Sequence, residues 1–170
     1  MQSEMGLNRF IMAQEAIYDL ALQELHEGKK QGHWMWYVFP QIAGLGNSPQ
    51  AREYAIRDLD EARQFILHPL LSDRLVQCAK ALLVHGDVSA SDILGDTDAM
   101  KLKSSMTLFH LAARGEEAVF KKVLDQFYGG QHCRYTAGKI STGQRLRQDV
   151  SSIVDASVPC RIPQSGQGPP

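Results

Sequence analysis

The residues best suited to chemistry in this 170-residue chain lie in three short blocks. The first is KLKSSMTLF at positions 101–109. On a helix, Leu102, Met106 and Phe109 share an apolar stripe, while Lys103, Ser104 and Thr107 share a polar one. A lysine on such a stripe can contact an anion or a carbonyl. When desolvated it is a nucleophile toward a carbonyl, such as the open form of a ribose. Ser104, Ser105 and Thr107 are weak helix formers, so packing or polar contacts must favour them there. The structural alternative is that small polar side chains let two helices approach closely. Solvated lysines also far outnumber catalytic ones.

The second block is HWMWYVFPQ at positions 33–41. It is too apolar all round for a surface helix. Its aromatics read first as a plug where helices meet, because aromatic rings bury large areas. They read second as a pocket wall, in which Trp34 and Trp36 stack on a flat ring and His33 and Gln41 supply polar handles. The third block, GLGNSP at 44–49, places Gly46 just before a helix N-terminus, which favours anions. It lacks the spacing of a Walker loop and the strand of a dinucleotide fingerprint. A plain glycine turn feeding a capped helix has the same composition.

These blocks nominate Lys103 and His33 as catalytic residues. They nominate Trp34, Trp36, Gln41, Gly46, Ser104, Ser105 and Thr107 as ligand contacts. The ligand class they suit is an anionic small molecule, nucleotide-like or ADP-ribose-like, with hydrolysis as the matching chemistry. The alternative is a non-enzymatic helical module that docks a protein partner through exposed aromatics. No metal set is readable, since the histidines lack HxxxH or HExxH spacing. No cofactor is implied. Cys78 sits on an apolar stripe and reads as a small buried hydrophobe, whereas Cys133 and Cys160 read as free thiols of a loose tail.

The elements that must position these blocks are helices. With 44% hydrophobic residues and a net charge of −1, the chain is too apolar and too balanced to be disordered throughout. No apolar run approaches the ~20 residues of a membrane span. The N-terminus lacks a basic start and an apolar run of the signal-peptide kind, and a cytoplasmic location is expected. Near-neutral charge argues against nucleic acid as a partner.

Asn8 is the expected cap of a helix that stops at Gly28. Ser48-Pro49 opens a helix running through Tyr54, Leu59 and Phe65, which ends at His68-Pro69. A further helix runs from Pro69 to Val84. Ser89 or Ser91 caps one turn, Thr97 caps the KLKSSMTLF helix, and Gly129 closes the last. Only Trp36–Phe39 looks β-like, so the expected fold is all-α, a multihelical single domain of about six helices. Residues 1–130 carry 13 basic against 17 acidic side chains and hold 12 of the 13 aromatics. Residues 131–170 carry 5 basic against 2 acidic, with four Pro and four Gly. The expected organisation is a flexible 1–7, a helical domain over 8–130, and an extension over 131–170 that is largely disordered, with one helical turn near Val150–Val154.

The runs at 9–56, FILHPLLSDRL at 65–75, DAMKLKSSMTLF at 98–109 and FKKVLDQFYGG at 120–130 resemble a bacterial and fungal family, domain of unknown function 1810. The resemblance covers residues 8–130. It implies a small multihelical fold of two helical subdomains, and it implies no activity. The "calpastatin" label that some members carry does not suit this chain, because an inhibitor of that kind is disordered until it binds.

Overall fold

The computed structural model describes residues 2–155, which contain ten helices and no strand. The buried side chains form one continuous core. α1 (Gln2–Glu15) and α2 (Tyr18–Glu27) replace the single helix expected from Asn8. Asn8 lies inside α1 rather than capping it, and Leu7 beside it is buried. The chain breaks at Ile17, whose N–H donates to Gln14 O at 3.1 Å. The break lets each helix present its own apolar stripe: α1 meets α3 and α5, and α2 meets α6. Apolar spacing alone runs straight through such a break, because residues eleven apart share a helical face. Gly28 ends α2 in the left-handed conformation, as expected.

Met35–Val38 forms a single helical turn, α3, where a β-like run was expected. Ser48 caps α4 (Pro49–Glu53) by accepting from Ala51 N at 3.1 Å. The expected long helix stops there. Residues 54–58 turn outward so that Ile56 makes an isolated parallel bridge with Ile42. Ile56 N donates to Gln41 O and Ala43 N to Ile56 O, both at 2.8 Å. Helix resumes as α5 (Leu59–Leu67), capped by Asp58, which accepts from Glu61 N at 2.9 Å. Glu61 reaches back to accept from Arg57 N at 2.7 Å, a reciprocal arrangement of the capping-box kind.

His68 ends α5 and caps α6 (Pro69–Leu83), its Nδ1 accepting from Leu71 N at 3.4 Å. Ser89 caps α7 (Ala90–Leu94). α8 (Asp96–Ala112) starts one residue before Thr97. The N-cap position is Gly95 at φ 84, so no side chain caps this helix. α9 (Ala118–Tyr128) begins after Glu117, whose carboxylate accepts from Val119 N, and ends at left-handed Gly129.

α8 is the central helix, packed against α5, α7, α9 and α10. Its stripe continues a chain of aromatic rings through the core. Phe10, Phe65, Phe109 and Phe120 follow one another at centroid spacings of 5.2, 5.1 and 6.0 Å, the range of favourable ring packing.

α10 (Arg134–Asp155) is helix where the composition predicts a largely disordered extension. Thr136 and Ile140 are buried against the body, and from Ser141 to Ser151 every side-chain-bearing residue is exposed. The apolar poverty of this segment therefore shows as lack of burial rather than lack of helix. An α-helix satisfies its own backbone without a core, given an anchored first turn. The helical turn expected near Val150–Val154 falls inside α10. Cys160 and the terminal QSGQGPP lie outside the described residues.

Candidate functional site at the junction of helices α8 and α10

The KLKSSMTLF block lies in the middle of α8, and its polar stripe receives the start of α10. Thr107 Oγ1 donates to Lys103 O at 2.8 Å and accepts from Cys133 N at 2.9 Å. Ser104 Oγ and Thr136 Oγ1 share a hydrogen bond at 2.8 Å, both residues being buried. This is the polar contact that the weak helix formers required. Ser105, fully buried, has no hydrogen-bond partner for its Oγ among the described residues. It packs as a small side chain in the core.

Cys133 stands immediately before α10, half-buried. Burial is the largest single influence on its thiol and pushes it up. The Thr136 and Tyr135 N–H groups and the one free hydroxyl hydrogen of the Ser104–Thr136 pair outweigh that, and they hold the thiol below its ordinary range. Two hydroxyls carry two hydrogens. One is used between Ser104 and Thr136, which leaves the other for the sulfur. A helix N-terminus adds the same preference for the anion. The spacing Cys133-x-x-Thr136 carried this in the sequence: a side chain three residues into a helix reaches back to the residue that precedes it. Reading Cys133 as part of a loose tail missed it.

Lys103 and Cys133, one from each helix, line a single cavity of about 630 Å³. Met100, Gln131, His132 and Arg134 complete it. Lys103 Nζ sits 5.8 Å from the centre of the Tyr128 ring, within cation–π reach. Burial pushes the Tyr128 hydroxyl well up, and it donates to Ala99 O, so the tyrosine is a neutral wall. His132 faces His110 with ring centroids 5.5 Å apart. Burial, then the neighbouring His132 and Lys121, hold His110 below the usual imidazole range. The cavity therefore combines a favoured thiolate with a rim of Lys103, Arg134 and His132. That arrangement can bind an anion and present a nucleophile to it.

The aromatic block sits elsewhere. Trp34 is completely buried, and its Nε1 donates to Glu24 Oε2 at 2.8 Å. Glu24, itself buried, also accepts from Gln31 N at 2.9 Å and Gly32 N at 3.0 Å. Burial works against its charge, but these donors outweigh it and hold the carboxyl below the usual range. Glu24 is thus the carboxylate that fastens the plug, and its place on α2 gave no sign of that. Trp36 is half-buried beneath Lys101 Nζ, 4.7 Å from its ring. Lys101 and Lys30 share Asp98 at 3.0 and 2.7 Å.

Trp36, Gln41 and Gly46 close around a gap of about 10 Å³, no more than one water requires. A Cβ on Gly46 would come within 2.7 Å of Ala51 Cβ, so this glycine is there for close packing. His33 is exposed and lines none of these spaces; its carbonyl accepts from the Tyr37 hydroxyl at 3.4 Å. The structure thus brings together Lys103, Ser104 and Thr107 around Cys133. It leaves His33, Trp34, Trp36, Gln41 and Gly46 at a separate locus. Among the described residues no three His, Cys, Asp or Glu side chains are grouped to hold a metal ion, and no helix is long and apolar enough to cross a membrane.

No curated protein matches the chain. A solved structure is similar to it: the conserved hypothetical protein Rv1873 from Mycobacterium tuberculosis, at 41% identity and a TM-score of 0.76. The match covers 79% of this chain and 96% of that one. A family model described as "Protein of unknown function (DUF1810)" matches residues 4–140, which take in α1 to α9 and the anchored first turns of α10. With that span covered, the chain belongs to the DUF1810 family.

Proposed function

We propose that the cavity between α8 and the start of α10 is a small-molecule site. It takes an anionic ligand of nucleotide or ADP-ribose type, with Lys103 and Arg134 as anion contacts and Cys133 as the nucleophile of a hydrolytic step. The observation that supports this is the meeting of Lys103 and Cys133, from different helices, in one cavity of about 630 Å³. That volume is within the ~300–1,000 Å³ of ligand pockets. The lysine now serves as the charge contact and the cysteine as the reactive group, because hydrogen bonds favour the thiolate directly. His33 has no part in this reading.

The test is a thermal-shift series of the purified protein against NAD, ADP-ribose, nucleotides and sugar phosphates, run beside Lys103→Ala and Cys133→Ser. A ligand at 100 times its Kd adds about 2.7 kcal/mol of stability. A shift present in the wild type and lost in Lys103→Ala supports the site. No shift from any of these compounds, in a folded protein, removes it.

One observation favours the second reading, a protein-interaction module. Tyr135, Leu146 and Val150, 45%, 61% and 60% exposed, fall on one face of α10. An exposed apolar stripe of this kind marks an interaction surface. Leu146→Glu would leave sedimentation and partner capture unchanged if that face has no such role.

A further inference from the structure

We propose that the cleft between α5 and α10 is a second binding site, for a phosphate-bearing small molecule. The cleft has a volume of about 410 Å³. Five cationic side chains line it: Arg57 just before α5, Arg63 in the middle of α5, Arg114 in the turn after α8, and Lys139 and Arg147 on α10. Its floor is apolar, supplied by Leu59 and Ile140, both buried. Buried apolar walls lower the local dielectric and strengthen each charge within them.

The acids nearby do not neutralise this set. Asp58 lines the cleft, and Asp60 and Glu61 adjoin it. Arg147 pairs with Asp58 at 3.7 Å and with Asp60; Arg63 approaches Asp60 at 3.6 Å. Glu61 is shared by Arg9 at 2.9 Å and Arg57 at 3.4 Å. Lys139 has the carbonyl of Ala43 and the Tyr135 ring, and neither it nor Arg114 has an acidic partner among the described residues. Positive charge is therefore in surplus.

Two side chains hold the middle of this set. Arg63 is half-buried on α5 and lines the cleft with its guanidinium only partly engaged by Asp60. Arg114 follows the C-terminal cap of α8 in the left-handed conformation common at helix ends, and its side chain lines the cleft. Guanidinium forks converging on one space match an anion with several oxygens, which is phosphate chemistry rather than a single carboxylate. The concave shape suits a compact di- or triphosphate. An extended nucleic-acid backbone needs a continuous basic track. The family match ends at residue 140, before Arg147.

The experiment is calorimetric titration of the full chain with inorganic diphosphate at low ionic strength, beside Arg63→Gln and Arg114→Gln. Arg114 is exposed and without an acidic partner, so its substitution leaves the fold intact, which circular dichroism checks. Saturable binding in the wild type and about tenfold weaker binding in each arginine variant are expected. Lys103→Ala and Cys133→Ser are expected to bind diphosphate as the wild type does, so this result is independent of the α8–α10 cavity. Absence of saturable binding, or wild-type affinity in both arginine variants, overturns the proposal. Preference for a single-stranded oligonucleotide over diphosphate, at equal phosphate concentration, overturns it in favour of a nucleic-acid surface.

Discussion

The backbone N–H of Cys133 donates to Oγ1 of Thr107 across 2.9 Å, tying the start of α10 to the middle of α8. The same hydroxyl donates to Lys103 O, so one buried threonine serves both helices. Thr107→Val keeps the shape and removes the acceptor, leaving the Cys133 N–H unpaired. A loss of about 1–3 kcal/mol in urea unfolding is expected. Unchanged stability would mean that α10 is held by apolar packing alone.

The thiol of Cys133 should titrate below the ordinary thiol range, because the donors from Thr136, Ser104 and Tyr135 together outweigh its burial. The rate of alkylation by iodoacetamide against pH reports this directly. Replacing both hydroxyls, Ser104→Ala with Thr136→Val, removes the hydroxyl donor and should move the midpoint up. A depressed folded pKa stabilises above the unfolded value, and that contribution is lost as pH falls through the folded value. The stability advantage of the wild type over Cys133→Ser should therefore grow as pH rises through the folded value and level off above the unfolded value of about 8.5. A midpoint at or above the ordinary value would contradict the geometry.

Glu24 and Glu61 are buried carboxylates held below the usual range. For both, burial opposes the charge and is outweighed. Donation from Gly32 and Gln31 N–H and Trp34 does so at Glu24, and from Arg9 and Arg57 N–H at Glu61. Their contribution is complete above the unfolded pKa of about 4.3 and is lost as pH falls through the folded values. Glu24→Gln should cost about 1–3 kcal/mol at pH 7 and flatten the acid side of the stability curve. Urea midpoints at pH 7, 4 and 3 are the readout (nominal values set by the carboxylate range). An acid limb as steep as that of the wild type would exclude Glu24 as a contributor.

Trp34 is inaccessible and Trp36 half-buried, so the two indoles should differ in acrylamide quenching. Trp36→Phe should leave a weakly quenched protein and Trp34→Phe a readily quenched one. Trp34→Phe should also destabilise by about 1–3 kcal/mol, since one of the donors to Glu24 is lost. Equal quenching in both variants would show that the plug is open.

Local signals were legible where a side chain or a glycine acts on its own neighbours. Gly28, Ser48-Pro49, His68-Pro69, Ser89 and Gly129 all punctuate helices where expected. The Asp58–Glu61 capping pair was equally local, yet it was hidden inside an apolar spacing that a single helix would also produce. The split at Ile56 was not legible, because its cause is backbone pairing with Ala43 and Gln41, thirteen and fifteen residues away.

The candidate site divides in the same way. The stripe of Lys103, Ser104 and Thr107 followed from helical spacing, and it does carry polar contacts. What it contacts is Cys133 and Thr136, about thirty residues further on, and only the packing of α10 on α8 decides that. The aromatic block was readable as either plug or pocket wall from composition. Glu24, reaching Trp34 from another helix, places Trp34 in the core. Sequence by itself therefore determined the helical class, most helix ends and which faces turn inward, since caps and apolar periodicity act within a few residues. The tertiary structure alone decided which polar side chains meet, because hydrogen bonds and cavities between helices depend on distances that no local pattern encodes.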